Sequence, residues 1–199
     1  MKTDPKKMDE TSRTSFKEVY PQVAYQIIRR CGIKEGLCID IGSGPGALAI
    51  AVSKVTDLNI YSLDISEEMN QIAKKNIIDE ELNHRIFPVN GDVHEMPFPD
   101  DFADLIISRG SLFFWENKEA SFREIYRVLK PEGWAYIGGG FGSKTLKNKI
   151  RQSVNNSKTD HINIPKISIT GLKLILNRVP IKDYHILNDN SGLWTLFKK

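Results

Sequence analysis

At 199 residues, with 40% hydrophobic and 27% charged residues, the chain has the size and composition of one globular domain with a real core. No apolar run approaches the roughly 18 residues of a membrane helix, and the polar opening MKTDPKKMDETSRTS lacks the apolar centre of a signal peptide. The expectation is a cytoplasmic protein with a flexible N-terminus over residues 1–15 and a single domain over 16–199. A net charge of +3 hides a basic tail, because residues 143–199 hold 11 Lys/Arg against 3 Asp/Glu. Such a tail reads first as a solvated helix face and second as a surface for nucleic acid. Cys31 and Cys38 make no disulfide framework and no metal-ligand spacing, so both read as small buried apolar residues and no metal is expected.

Along the chain, SFKEVYPQVAYQIIRRCGI has helical spacing, with Val23, Ile27 and Ile28 on one side, an interruption near Pro21 and a stop at Gly32. GLCIDI reads as a buried strand, and GALAIAVSKV as the helix after it. LNIYSLDI is a second strand, followed by a helix capped by Ser66 with Glu67 and Glu68 in its first turn. RIFPVNGD and ADLIIS give the third and fourth strands. ENKEASFREIYRVL is amphipathic, with Phe122, Ile125 and Leu129 as the inner stripe and Glu119 four residues before Arg123. It stops at KPEG, read as a turn, before the strand WAYIGGG. Helical stretches around 143–156 and 166–178 precede DYHILN and LWTLFKK, two strands joined by DNSG as an antiparallel hairpin. Strands and helices alternating at this rhythm predict an α/β fold: a Rossmann-like three-layer sandwich whose seven-stranded sheet is mostly parallel and ends in that hairpin.

In an open α/β sheet the ligand sits beyond the carboxyl ends of the strands, where strand order reverses. The first strand exits into DIGSGPGA. Gly42, Gly44 and Ala47 would satisfy a dinucleotide pattern, but a lone match is weak. Asp40 places a carboxylate at the mouth of the turn, which repels a pyrophosphate and attracts a cation. Pro45 has no amide hydrogen to give a phosphate, and no Gly-Lys-Ser/Thr follows. Asp64 ends the second strand 22 residues after Gly42, placed to accept from ribose hydroxyls. Asp92, just past the third strand, could accept from an exocyclic amine while a neighbouring amide donates to a ring nitrogen, a pairing that reads adenine. Acceptors for an amine, a ribose and an adenine, with no phosphate cradle, describe S-adenosylmethionine.

The segments DIGSGPG, YSLDIS, GDVHEMPFPDDFADLIIS and REIYRVLKPEGWAYI resemble the class I, Rossmann-like S-adenosylmethionine-dependent methyltransferases, in the subgroup similar to the methyltransferase type 11 domain. The resemblance covers about residues 16–142. It implies that Gly42, Gly44 and Gly46 let the backbone approach the methionine part and that Asp40 faces its ammonium. It places Asp64 on the ribose, Ile65 on the adenine face, Asp92 on the adenine amine and the Val93 amide on its ring. Ser108 and Arg109 would line the methionine and the approach to the methyl group. Ile41, Ser43, Met69, Gly91 and His94 complete the implied cofactor set, with His94 either packing beside the nucleoside or serving as a base. The product would be S-adenosylhomocysteine.

No catalytic dyad stands out, which favours an acceptor that is already nucleophilic. Arg109 and Tyr20 are the catalytic candidates. A guanidinium repels a sulfonium, so Arg109 would hold an acidic substrate or the methionine carboxylate, or else form a structural ion pair. Tyr20, Ser111, Phe113, Phe114 and Trp115 could wall a substrate pocket, and the aromatics could equally be core. The glycine-rich IGGGFG suggests a tight bend or a close approach of the backbone to a ligand, while His84, His161 and His185 read as loop or strand-edge residues. The segment after strand four, Ser108-Arg109-Gly110-Ser111, lacks the proline pair of exocyclic-amine nucleic-acid methyltransferases, so the expected partner is a small molecule, with no nucleic acid, no membrane, and a monomer or homodimer. The alternatives are an RNA or protein methyltransferase, a non-catalytic S-adenosylmethionine-binding protein, or a dehydrogenase on the same fold.

Overall fold

The computed structural model describes residues 4–156 and 167–199. His161, the start of the helix expected at 166 and the first three residues of the expected flexible segment lie outside that range. Helices α1 (Pro5–Arg13) and α2 (Val19–Cys31) lead into β1 (Leu37–Ile41), α3 (Ala47–Ser53), β2 (Asn59–Asp64), α4 (Glu67–Asp79), β3 (Ile86–Asn90) and β4 (Ala103–Arg109). A single 3₁₀ turn (Leu112–Phe114), α5 (Lys118–Val128), β5 (Leu129–Gly140), α6 (Lys144–Asn156), α7 (Ile169–Leu176), β6 (Tyr184–Asp189) and β7 (Gly192–Lys198) follow. The sheet order is β3-β2-β1-β4-β5-β7-β6, with β7 antiparallel to both neighbours and the remaining pairs parallel. This is the predicted architecture.

The two-residue period of β1 sorts its side chains between two cores. Cys38 points to a cluster shared with Val23 and Ile27 of α2, Leu48 and Val52 of α3, and Ala73 and Ile77 of α4. Ile39 and Ile41 point the other way, to Phe122 and Ile125 of α5 and Leu172 and Leu176 of α7. Asp40 shares the Cys38 face and is therefore forced into the first core. Order reverses at β1, which has β2 on one side and β4 on the other, so the crevice of the fold opens beyond Asp40.

Two local expectations are corrected, and the alternative left open at IGGGFG is settled. Pro21 does not interrupt a helix; α2 begins at Val19, which puts the proline in the first turn, where its missing amide costs nothing. KPEG is not a turn between elements. Leu129 pairs with Ala103 and Trp134 with Leu105, so residues 130–133 bulge within one long β5, with Glu132 at φ 69°. Glycines 138–140 approach protein rather than ligand: a Cβ on Gly138 would lie 2.1 Å from the Leu193 carbonyl oxygen, and one on Gly140 2.0 Å from that of Ser191. The bend itself falls at Gly142, φ 76°. The structure also places a helix, α1, in the segment expected to be a flexible N-terminus.

Candidate functional site

The exit turn of β1 spends its own donors. The amides of Gly42 and Ser43 both donate to the Leu63 carbonyl, at 2.8 and 3.1 Å, and that of Gly46 to the Ser43 carbonyl at 3.1 Å. The Gly44 amide donates to Asp64 Oδ2 at 2.8 Å. With Pro45 lacking an amide, residues 42–46 keep no N–H for a phosphate. Each glycine has a left-handed φ, 62° at 42, 56° at 44 and 80° at 46. Their missing side chains leave room for the protein itself. A Cβ on Gly42 would sit 2.3 Å from that of Ser111, and one on Gly46 3.4 Å from that of Ala73.

Asp40 stands directly before this turn and is 1% exposed, with Oδ2 lacking any hydrogen-bond partner. Burial pushes its carboxyl up to about 8; the Ala49 amide opposes the rise and the nearby Asp64 charge adds to it. An orphaned buried carboxyl oxygen is costly to a folded protein. Asp64 is half-buried. Its Oδ2 takes the Gly44 amide and its Oδ1 the Ser66 amide at 2.9 Å, which fixes the carboxylate plane while each oxygen retains a second lone pair. Ile65 beside it is 68% exposed, whereas Met69 is buried.

At the end of β3, Asp92 Oδ1 accepts from the His94 amide at 2.9 Å and faces His94 Nδ1 at 2.5 Å. Burial raises the Asp92 carboxyl, but these His94 bonds outweigh it and hold the group below the usual carboxylate range. His94 Nε2 accepts the Asn117 amide at 3.3 Å, so its proton belongs on Nδ1 and no ring nitrogen is left free as a base. Val93 is buried. A Cβ on Gly91 would meet Leu63 Cδ1 at 2.8 Å.

The β4 exit divides the other candidates. Ser108, buried, meets Ser111 Oγ at 2.6 Å; Ser111 Oγ donates to the Ile41 carbonyl at 3.0 Å and accepts from Trp115 Nε1 at 3.1 Å. These groups clamp β4 to β1 under Gly42. Trp115 packs edge-on to Phe122 in the core, Phe113 fills the space beside Gly139, and Phe114 is 52% exposed. Arg109 and Tyr20 are brought together: the Arg109 guanidinium carbon lies 5.0 Å from the Tyr20 ring centre and 4.9 Å from that of Phe16. Arg109 Nε donates to the Gly140 carbonyl at 3.0 Å. Burial raises the Tyr20 phenol, with Arg109 lowering it and Asp40 raising it, so the tyrosine feels both charges.

Sequence reasoning passed over Phe16 and Asn76. Asn76 on α4 is buried and donates to the Pro45 carbonyl at 2.9 Å and to Asp9 Oδ1 at 2.7 Å, while accepting from Arg13. It pins α1 across the glycine turn, with Met8 Sδ 3.4 Å from where a Gly44 Cβ would be. Its only signal was one more polar residue on an amphipathic helix. Cys31 and Cys38 are buried thiols, that of Cys31 pushed up to about 12 by burial. Among the described residues no group of three His, Cys, Asp or Glu could hold a metal ion, and no helix is long and apolar enough to cross a membrane.

Comparison with known proteins bears on this geometry. Residues 39–137 match the family model of a methyltransferase domain. A sterol 24-C-methyltransferase of Aspergillus fumigatus is 31% identical over 119 residues, 59% of this chain and 32% of that protein. A chloroplastic 2-methyl-6-phytyl-1,4-hydroquinone methyltransferase of Spinacia oleracea is 36% identical over 104 residues, 52% of this chain and 29% of that one. The chain thus spans about a third of the length of these curated relatives. Among solved structures, a provisionally assigned S-adenosyl-L-methionine-dependent methyltransferase of Methanococcus maripaludis is 46% identical, with 100% of this chain and 97% of that one covered and a TM-score of 0.93. The chain belongs to the class I, Rossmann-like S-adenosyl-L-methionine-dependent methyltransferases.

Proposed function

We propose that the protein transfers the methyl group of S-adenosylmethionine to a small-molecule acceptor in the cytoplasm. The observation that carries this reading is the buried, unpartnered Asp40 carboxyl at a glycine turn with no amide to spare. That combination disfavours a pyrophosphate and suits a positively charged nucleoside. Asp40 would take the ammonium of the cofactor's amino acid, Asp64 the ribose hydroxyls through its remaining lone pairs, and Ile65 one face of the adenine. Asp92 would accept from the adenine amine through Oδ2, since His94 already occupies Oδ1, and the Val93 amide would donate to the ring. When bound, the cofactor supplies a methyl group on a cationic sulfur, which a nucleophile takes as the C–S electrons return to sulfur, leaving S-adenosylhomocysteine.

The chain's own share of the work is orientation and exclusion of water. The Ser108–Ser111–Ile41 clamp fixes the β4 exit against β1, and α1 covers Gly44 through Met8. No residue at the crevice is needed as a base, which suits an acceptor that already carries an available lone pair. The two unpaired cysteines support a cytoplasmic setting. Calorimetry with S-adenosylhomocysteine and with NAD tests the cofactor assignment. Micromolar affinity for the first with none for the second is the expected result; tight NAD binding would overturn it. Release of labelled methyl from S-adenosylmethionine onto small metabolites tests transfer, and good affinity without transfer to any of a broad set would leave a binding protein.

A further inference from the structure

Arg109 is held as few arginines are without a carboxylate. Its guanidinium carbon lies 4.9 and 5.0 Å from the ring centres of Phe16 and Tyr20, within cation–π range of both. Its Nε is tied to the Gly140 carbonyl at 3.0 Å, which fixes the plane and points the two terminal nitrogens as a fork. Among the described residues no carboxylate pairs with it, and Tyr20 is the only titratable group whose charge acts on it appreciably. Buried charges are normally paired. The fork also sits at the carboxyl end of β4, two residues beyond Ile107, the register partner of Asp40. Arg109 and Asp40 therefore share one face of the sheet on neighbouring strands, beneath α2, with Tyr20 sensing both.

We propose that the Arg109 fork binds a carboxylate carried by the methyl acceptor, so that the acceptor class is a small organic acid with an apolar body. The assignment rests on the methyltransferase reading for the position of the site, and it goes further in naming what the second substrate must carry. A carboxylate fits the planar fork with two parallel hydrogen bonds. The rings of Phe16 and Tyr20, with Phe141 5.9 Å from Phe16, exclude water from that pairing and offer apolar contact to the rest of the acid. The cofactor's own carboxylate is the competing source of the same chemistry, and the test separates the two.

Ligand-observed NMR on the full chain saturated with S-adenosylhomocysteine would compare a series of aliphatic and aromatic monocarboxylates, from acetate to naphthoate, with their primary amides. The expected result is that the larger acids bind at least tenfold tighter than their amides, that Arg109→Met abolishes this preference, and that its affinity for S-adenosylhomocysteine stays within twofold of wild type. Arg109→Lys, which keeps the charge and loses the fork, should also lose about tenfold for the acids and guards against a Met variant that fails to fold. Equal binding of acids and amides by wild type, or a preference that survives in Arg109→Met, would overturn the proposal. A tenfold or greater loss of S-adenosylhomocysteine in both variants would assign the fork to the cofactor's carboxylate and overturn it equally. Failure of wild type to bind S-adenosylhomocysteine at all would instead sink the methyltransferase reading on which the position depends.

Discussion

The two halves of the crevice present acidic groups on one side and a basic group on the other. On the β1–β2–β3 side stand three acids, Asp40, Asp64 and Asp92. On the β4–β5 side Arg109 stacks on aromatic rings. The acids differ in how far the protein satisfies them. Asp64 and Asp92 accept backbone amides that orient them, whereas Asp40 Oδ2 has no partner among the described residues. Arg109 is the basic counterpart of Asp40: desolvated, tied to the Gly140 carbonyl, and without an ion partner among the described residues. Burial thus carries an electrostatic cost at Asp40 and at Arg109, and stability given up at a proposed binding site in this way is a general trade.

The largest expected effect on ligand affinity breaks that comparison at Asp40. Asp40→Asn should weaken S-adenosylhomocysteine by about 2–3 kcal/mol, the range for a charge-assisted bond lost in a buried site, measured by calorimetry. The same variant should stabilise the free protein at alkaline pH. Asp40 titrates near 8 in the folded chain against 3.8 for the ordinary group, so folding favours its protonated form. Its contribution to stability is fully present below about pH 4 and is lost as pH rises through about 8. The melting temperature of Asp40→Asn should therefore exceed wild type by more at pH 9 than at pH 5. An equal difference at both would mean that Asp40 is not neutral in the free protein.

Next comes Gly42→Ala. A left-handed φ and a 2.3 Å collision with Ser111 should together cost about 2–4 kcal/mol of stability in chemical denaturation. Repeating it in a Ser111→Gly background should recover the collision part and leave the backbone part, about 1 kcal/mol. No recovery would show that the Ser111 side chain is not what the added methyl strikes. Asp64→Asn should cost about 1–3 kcal/mol of cofactor affinity, and unchanged affinity would show the ribose misplaced. The smallest effect expected is at Asn76→Ala. Losing bonds to Pro45, Asp9 and Arg13 should cost about 1–2 kcal/mol in stability and raise amide exchange in α1 ahead of the sheet. Unchanged exchange would mean that α1 is held by packing alone.

Much of this fold and of its acidic crevice is legible in the sequence alone, and the reason is locality. Asp40, Asp64 and Asp92 end consecutive parallel strands, and strand ends in an open sheet converge on one edge whatever the packing details. The β5 bulge, the Asn76 pin and the Arg109 stack are not legible there, because each joins residues far apart in sequence. Asn76 lies 31 residues from Pro45 and 67 from Asp9, and Arg109 stacks on rings from the opening of the chain. Glycines mislead for a related reason. A missing Cβ is visible in sequence, but what fills the space is not: Ser111 takes it at Gly42, the β7 backbone at Gly138 and Gly140. Pro21 misleads because its effect depends on where the helix begins, and α2 begins at Val19.

Proton release on cofactor binding bears most directly on the opposed-charge account. Titrating S-adenosylhomocysteine into the protein at pH 7 in two buffers of different ionisation heat gives the number of protons exchanged. A carboxyl that titrates near 8 when free and is ionised against a bound ammonium should release close to one proton per ligand, and Asp40→Asn should release none. Tight binding with no proton released by wild type would contradict the account.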